Sequence, residues 1–258
     1  MMLRWRREKC MVLQRTLRVV RRFSSIRRSE QIASEASVGG APMHRKMAAN
    51  LEILARGYGQ LRTFNSHRPV DSLGNALPWF TYPAIEYLKR LNCSGWRVFE
   101  YGAGESTIYW SRKGAIVTSV EHNEQWFVEM QNRLLPGATI SHRAERESYA
   151  NAIREAGTQF NVIVIDGVFR ETCADVCIPY LGEGGILILD NSDWYHETGK
   201  KIRQRGFLEV SFSGFGPVND YTWTTSLFFK TASSPQDMSA PDPIGGVVLG
   251  PDAVDQWW

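Results

Sequence analysis

The stretch Val98-Phe-Glu-Tyr-Gly-Ala-Gly-Glu-Ser-Thr107 decides how this 258-residue chain folds. It begins with residues typical of a β-strand, passes through two glycines and ends in residues typical of a helix start. Glycine lets the backbone turn tightly and approach a ligand closely, and the first turn of the next helix presents free N–H groups. The stretch therefore predicts a strand–loop–helix unit whose loop can hold a ligand.

The residues around the two glycines restrict the kind of ligand. A dinucleotide-binding fingerprint, Gly-x-Gly-x-x-Gly, is incomplete here because Thr107 stands in its third glycine position. Glu100 precedes the first glycine, Gly102, by two residues and would repel a pyrophosphate. A carboxylate at this place suits a ligand with a positive group, such as the ammonium of an amino acid. These two departures disfavour a nicotinamide-dependent oxidoreductase.

A second acidic residue ends the next predicted strand. Glu121 follows the run Val117-Thr-Ser-Val and stands 21 residues after Glu100. An acid at about this distance in a βαβ unit can accept hydrogen bonds from ribose hydroxyls. Alone, Glu121 would more simply mark the start of the following helix. Together with the glycine loop and Glu100, it favours a ligand that contains ribose.

Strands and helices alternate through the middle of the chain. The predicted strands are Arg97–Tyr101, Ile116–Glu121, Ala138–His142, Asn161–Asp166 and Gly185–Asp190. The predicted helices between them are Ser106–Lys113, Glu124–Leu134, Glu147–Ala156 and Thr172–Leu181. The run Val162-Ile-Val-Ile165 is continuously apolar, as expected when helices cover both faces of a parallel sheet.

The last part of this region has a different pattern. A predicted helix, Glu197–Arg205, precedes the strand candidates Phe207–Ser213 and Thr222–Phe229, which a Gly-, Pro- and Asn-containing connection joins into a hairpin. The predicted fold class is therefore α/β: a doubly wound, Rossmann-like, mostly parallel seven-stranded sheet with a C-terminal antiparallel hairpin.

Charge and composition divide the chain into four segments. Residues 1–28 contain ten Arg or Lys and one acidic residue, whereas the rest has 20 basic and 26 acidic residues. Such a basic stretch can contact a membrane surface or act as an organelle presequence, or it can be a solvated extension. The predicted segments are a basic flexible arm (1–43), a helical N-terminal cap (44–94, with helices over 44–62 and 84–91), the ligand-binding domain (95–230) and a flexible acidic tail (231–258).

The glycine loop, its acidic partners and the strand–helix order resemble those of class I S-adenosylmethionine-dependent methyltransferases over residues 95–230. The resemblance implies S-adenosylmethionine as the cofactor. It places Gly102 and Gly104 under the methionine part, Glu100 near its ammonium and Glu121 on the ribose. The remaining cofactor-binding candidates are Ser106 in the loop, Ala144 or Glu145 near the adenine, and Asp166.

Two acidic motifs end the fourth and fifth predicted strands, where an acceptor should lie in an open α/β sheet. Asp166, Asp190 and Asn191 resemble the metal ligands of catechol-type O-methyltransferases. This resemblance implies Mg²⁺, which would lower the pKa of an acceptor hydroxyl. Phe169 stands where those enzymes have a catalytic lysine, and acids at strand ends can instead cap helices or contact the cofactor.

The catalytic candidates are Asp166, Asp190 and His196. His196 can act as a general base near neutral pH, or it can be a surface residue at a helix start. The aromatic segment 213–223, together with Trp79 and Tyr82, can line an acceptor pocket or pack into the core. His122, His142 and the cysteines at positions 173 and 177 are interpreted as structural.

The predicted function is methyl transfer from S-adenosylmethionine to an oxygen of a small molecule or a sugar, assisted by Mg²⁺. A metal-independent methyltransferase and a non-catalytic nucleotide-binding module are the alternatives. A nucleic-acid acceptor is not expected, because Asp166-Gly-Val-Phe169 replaces the Asn/Asp-Pro-Pro-aromatic motif of base methylation. Four cysteines without a secretory signal pattern predict reduced thiols and a cytoplasmic location.

Overall fold

The computed structural model describes residues 41–230 and residue 244. Apart from these residues, the predicted basic arm and acidic tail lie outside the described part of the chain. The chain divides into two units, residues 1–52 and 53–258. The first unit contributes helix α1, Ala41–Glu52. No helix within the described residues is long and apolar enough to cross a membrane.

The second unit contains the remaining elements. A π-helical turn, Ile53–Gly57, precedes helices α2 (Gln60–Ser66) and α3 (Tyr82–Lys89). The alternating region then consists of β1 (Arg97–Tyr101), α4 (Glu105–Arg112), β2 (Ile116–Glu121), α5 (Glu124–Gln131), β3 (Ala138–His142), α6 (Arg146–Glu155), β4 (Phe160–Ile165), α7 (Arg170–Cys177), a 3₁₀ turn (Ile178–Tyr180), β5 (Leu181–Asp190), α8 (His196–Gln204), β6 (Phe207–Gly214) and β7 (Trp223–Lys230).

The predicted helix over 44–62 is wrong as a continuous element. The helical path is interrupted before α2, where Gly59 has a φ of 83°. A Cβ at this glycine would lie 2.3 Å from the carbonyl carbon of Asp71, so the backbone approach excludes any side chain. A left-handed glycine of this kind ends a helix rather than continuing it.

The seven strands form one sheet in the order β3-β2-β1-β4-β5-β7-β6. Strands β1 to β5 pair in parallel, and β7 pairs antiparallel with both β5 and β6. The predicted fold class is confirmed: the sheet is Rossmann-like and mostly parallel, and β6 and β7 form the predicted hairpin. Strand β7 lies inside the sheet, and β6 forms its edge.

The apolar strands bury their residues alternately on the two faces of the sheet, because successive side chains of a strand point in opposite directions. Val162 and Val164 of β4 join the core that contains α3 and α4. Ile163 and Ile165 join the opposite core, which contains α6, α7 and α8. Helices therefore cover both faces, and a continuous apolar run is needed in the central strands.

The site is positioned by the two central strands, β1 and β4. Their crossover helices lie on opposite faces, so a crevice opens at the carboxyl ends of these strands. The turns after β1 and β4 are joined backbone to backbone, since the Asp166 N–H donates to the Tyr101 carbonyl over 3.0 Å. Both the glycine loop and the acidic motif after β4 face this crevice.

Candidate functional site: a glycine loop and an aromatic cleft

The two glycines of the loop have different roles. Gly102 has a φ of 96°, and a Cβ there would lie 2.8 Å from the Cα of Gly167 in the turn after β4. Gly104 is extended, with a φ of −176°, and begins α4 as its N-cap. A Cβ on Gly104 would meet no atom within 4 Å. Gly102 is therefore required by packing, whereas Gly104 leaves open space beside the helix start.

Glu100 lies buried beneath the loop. Its Oε2 accepts hydrogen bonds from the Thr107 hydroxyl over 2.6 Å and the Ser119 hydroxyl over 2.9 Å. Its Oε1 is buried and has no hydrogen-bond partner within the described part of the chain. Burial raises the pKa of Glu100 to about 7; the Thr107, Ser106 and Ser119 hydroxyls oppose this shift and the charge of Asp166 adds to it.

Thr107 explains why the third glycine of a dinucleotide fingerprint is absent. Its Oγ1 accepts a hydrogen bond from the Gly104 N–H over 3.1 Å and donates to Glu100. One hydroxyl thus fixes the loop and holds the buried carboxyl. Sequence reasoning treated Thr107 only as a departure from a pattern and did not identify Ser119. Ser106, a predicted cofactor-binding residue, is buried in the first turn of α4, near Glu100.

Glu121 connects the end of β2 to the glycine loop. Its Oε1 accepts from the backbone N–H groups of His122 and Asn123 over 2.9 and 2.8 Å, and its Oε2 accepts from the Ala103 N–H over 3.2 Å. The cap of α5 is Asn123, whose side chain accepts from Trp126 N–H. Glu121 therefore stands just before the cap of α5 and also binds the glycine loop, so its position agrees with both interpretations.

The predicted adenine side lies after β3. Glu145 is exposed and occupies the N-cap position of α6, but its side chain makes no capping hydrogen bond. The ring of His142 lies beside Phe127, with centroids 5.7 Å apart, and its Nε2 is 3.0 Å from the His122 carbonyl oxygen. These contacts agree with the structural interpretation of His142, while the role of Glu145 stays a prediction.

Arg170 lies between the three residues predicted to bind a metal. Its guanidinium donates to Asp166 Oδ1 and to Asn191 Oδ1, both over 3.1 Å, and to the Asp190 carbonyl oxygen. It also donates to the carbonyls of Asp166 and Gly167, each over 3.0 Å. The guanidinium thus supplies the positive charge that these oxygens need. The arrangement does not fit Mg²⁺, which requires close octahedral oxygen ligands, and the predicted metal site is corrected on this ground.

Asp190 has a structural role. Its Oδ1 accepts hydrogen bonds from the Trp223 indole N–H over 3.1 Å and from the Thr225 hydroxyl over 2.5 Å, so its side chain joins β5 to β7. Burial raises the pKa of Asp190 well above its usual value, and the charge of Asp166 adds to this shift. Because this carboxyl is buried and engaged by β7, Asp190 is corrected as a catalytic candidate.

Asp166 remains accessible. Its side chain is 23% exposed, although it pairs with Arg170. Burial raises the pKa of Asp166 to about 6, and the positive charge and hydrogen bond of Arg170 oppose this shift. The residue lies at the crevice beside the glycine loop and can still contact a ligand, so its predicted cofactor-binding role is retained as a proposal.

An open cleft of about 630 Å³ lies at the N-terminal ends of α6, α7 and α8. Aromatic and basic side chains dominate its lining: Arg146, Phe169, Arg170, Trp194, Tyr195 and His196. His196, the predicted general base, is therefore at this cleft. Two non-glycine residues of the loops that form it have left-handed backbones, with a φ of 54° at position 169 and 52° at position 191. Such a backbone is common for Asn191 but unusual for a bulky residue such as Phe169, where it is often found at functional sites.

The aromatic residues predicted to line an acceptor pocket fall into two groups. Tyr82 and Trp223 are buried in the core, which agrees with the packing alternative. Trp79, Phe215 and Tyr221 are exposed at the surface. The ring of Tyr221 lies 6.4 Å from that of Trp194, so the β6–β7 connection does reach the aromatic side of the cleft.

Comparisons with known proteins found similarity among solved structures only. No protein-family model matches the chain, and no curated protein sequence matches it. A precorrin-6y C5,15-methyltransferase from Geobacter metallireducens is 12% identical, with a TM-score of 0.46, and the match covers 60% of this chain and 92% of that one. The TM-score is low, so the fold class stated above rests on the strand order of this chain.

Two other solved structures are similar to the same degree. An S-adenosylmethionine-dependent O-methyltransferase from Thermotoga maritima is 16% identical, with a TM-score of 0.44, covering 60% of this chain and 67% of that one. A TehB-like S-adenosylmethionine-dependent methyltransferase from Corynebacterium glutamicum is 13% identical, with a TM-score of 0.41, covering 80% and 97%.

The two glycines provide a matched test of the loop. Gly102→Ala should destabilise the protein by about 2–4 kcal/mol, because both the backbone angle and the contact with Gly167 exclude a Cβ. Gly104→Ala should change stability by less than about 1 kcal/mol, since its Cβ enters open space. We expect the second variant to lose affinity for S-adenosylmethionine, as measured by calorimetry. Unchanged affinity would show that no ligand lies over Gly104.

Glu100→Gln should alter the pH dependence of stability. Because the pKa of Glu100 is raised in the folded protein, ionising this residue there costs free energy. The stability of the wild type therefore falls as the pH rises from the usual pKa of a glutamate through about 7. The variant should therefore gain about 2 kcal/mol relative to the wild type between pH 5 and pH 8. Chemical unfolding at the two pH values measures this gain, with the exposed Glu124→Gln as control. Parallel stability curves would contradict it.

Arg170→Met should destabilise the protein by about 3–5 kcal/mol, because it leaves the Asp166 carboxylate, the Asn191 amide oxygen and several carbonyl oxygens without their partner. The exposed Arg154→Met on α6 is the control and should change stability by less than about 0.5 kcal/mol.

The wild-type melting temperature should be the same in magnesium chloride and in chelator. If magnesium raised the melting temperature of the wild type but not that of Asp190→Asn, the predicted metal site would be supported after all.

Proposed function

We propose that this chain is an S-adenosylmethionine-dependent methyltransferase that works without a bound metal ion. The observation that carries the proposal is the cradle between the glycine loop and β2. Open space above Gly104 adjoins a helix start, and the Glu121 carboxylate is held beside it by backbone N–H groups. The backbone N–H groups at the helix start suit the carboxylate of S-adenosylmethionine. The unhindered Gly104 leaves room for its methionine chain, and the ordered carboxylate of Glu121 suits its ribose.

Glu121 has acceptor capacity left for a ribose hydroxyl. Its Oε1 is used by two backbone N–H groups, whereas its Oε2 accepts only the Ala103 N–H among the described residues. A carboxylate oxygen has two lone pairs, so Oε2 can accept a second hydrogen bond. The existing bonds hold Glu121 in place before a ligand arrives, which reduces the entropy that binding would lose.

Glu100 favours a positive ligand by its charge. The carboxyl lies beneath the loop and has no cation within 4 Å in the part of the chain that the structure describes. A cationic ligand above the loop would stabilise its ionised form, because an opposite charge nearby lowers the pKa of a buried acid. We therefore assign Glu100 an electrostatic role rather than direct contact with the ammonium.

The reaction needs little more from the protein than orientation and removal of a proton. S-adenosylmethionine supplies an electrophilic methyl group when it is bound. The chain then has to hold an acceptor oxygen in line with that group and take up its proton. His196 is our candidate for the proton acceptor, because its imidazole lines the cleft beyond the ends of β4 and β5. An oxygen of a small molecule is the proposed acceptor.

The proposed location is the cytoplasm. Cys93, Cys173 and Cys177 are free and buried. Burial raises the pKa of the Cys93 and Cys173 thiols, to about 11 and 12. Such thiols are inert packed groups and need no oxidising compartment.

Calorimetric titration with S-adenosylmethionine tests the donor site. Wild-type protein should bind it, and Glu121→Gln should weaken binding by about tenfold or more through the loss of a charged ribose contact, about 1.5–3 kcal/mol. Glu124→Gln is a matched control, because Glu124 is an exposed acid three residues further along the chain. Chelator should leave the affinity unchanged. If the folded protein shows no binding, as judged beside its circular dichroism, the proposed function is wrong.

A further inference from the structure

In the cleft at the N-terminal ends of α6, α7 and α8, two arginines each lie over an aromatic ring. The Arg146 guanidinium lies over the Phe169 ring at 5.0 Å, and the Arg170 guanidinium lies over the Tyr195 ring at 4.8 Å. Each pair is a cation–π contact that holds both members in place. Trp194 is not part of either pair and is 59% exposed, the most exposed aromatic ring of the cleft.

One cation of the cleft lining has no ion pair among the described residues. Arg170 is neutralised by Asp166, and the two acidic residues of the lining, Glu171 and Glu197, form ion pairs with lysines. Arg146 has no carboxylate within 4 Å among the described residues, although it is close enough to Glu171 to lower the pKa of that carboxyl, after the larger effect of Lys201. Arg146 is therefore the cation of the cleft that is left for a ligand.

Hydrogen bonds join the loops that form the cleft to one another and to the sheet. Positions 169 and 191 have left-handed backbones, and Arg170 ties both loops together through the Gly167 carbonyl and Asn191 Oδ1. The loop after β5 is also joined to β7, because Asp193 Oδ1 accepts the Thr224 N–H over 3.0 Å. A rigid cleft can bind a planar molecule without losing much loop entropy.

We propose that this cleft binds a planar aromatic molecule that carries an anionic group. The ring packs against Trp194, and the anionic group pairs with Arg146. That this molecule is the methyl acceptor rests on the proposed function, whereas its binding to the cleft does not. A neutral sugar would offer Arg146 no negative charge, so this arginine favours the aromatic anion.

The test uses 2-naphthoate and its uncharged analogue, 2-naphthamide, titrated into the full-length protein by calorimetry. The wild type should bind the anion about tenfold more tightly than the amide, which corresponds to one charge-assisted contact. Arg146→Gln should remove this preference and leave amide binding unchanged. Trp194→Ala should weaken both probes by a similar factor.

Matched controls separate this proposal from the donor site. Arg154→Gln on the last turn of α6 and Trp79→Ala, both exposed and outside the cleft, should leave both probes unaffected. Arg146→Gln should bind S-adenosylmethionine like the wild type, and Glu121→Gln should bind 2-naphthoate like the wild type. If the wild type binds 2-naphthoate as expected but does not bind S-adenosylmethionine, the proposed function is overturned and the cleft assignment stands.

Three results would overturn the cleft assignment. The first is equal affinity of the wild type for the acid and the amide. The second is a preference for the acid that survives in Arg146→Gln. The third is the absence of binding of either probe to the folded wild-type protein, including at low ionic strength, where an exposed charge contact is strongest.

Discussion

The turns after β1 and β4 touch backbone to backbone, and the candidate site depends on this contact. A Cβ on Gly102 would meet Gly167, and a Cβ on Gly167 would lie 2.1 Å from the Tyr149 hydroxyl oxygen. The absence of two side chains brings the glycine loop and the acidic motif of β4 to one crevice. Without that approach, Asp166 would not lie beside the glycine loop.

Much of the fold can be predicted from the sequence, because the sheet is specified by local patterns. The bounds of β1, β2 and β3 agree with the predicted strands, since each contains β-branched or aromatic residues and lies between glycine or polar turns. The failed helix over 44–62 has a different cause. Its break at Gly59 is enforced by contact with a residue 12 positions away, Asp71, which no local pattern shows.

The candidate site was predicted less well, because residue type does not give side-chain direction. Glu121 and Gly104 were found from the glycine loop, its acidic partners and the resemblance that these residues carry. Asp190 also stands at the right place in the chain, yet its carboxyl faces Trp223 and Thr225, which are more than 30 residues away in sequence. In the sequence, Arg170 stands out only as a group that stays protonated and is therefore a poor base. Its actual role, as the fixed cation among three oxygen-bearing residues, depends on two strands being neighbours in space.

The position of β7 has a consequence for how the protein is made. Strand β5 pairs with Trp223–Lys230, so one side of β5 stays without its hydrogen-bonded neighbour until these residues leave the ribosome. The five parallel strands can assemble earlier, but Asp190 lacks its indole and hydroxyl partners until then. Long-range pairing of this kind slows folding and exposes a strand edge. The nascent chain therefore carries an open strand edge between the emergence of β5 and the emergence of β7, a stage at which a chaperone would protect it.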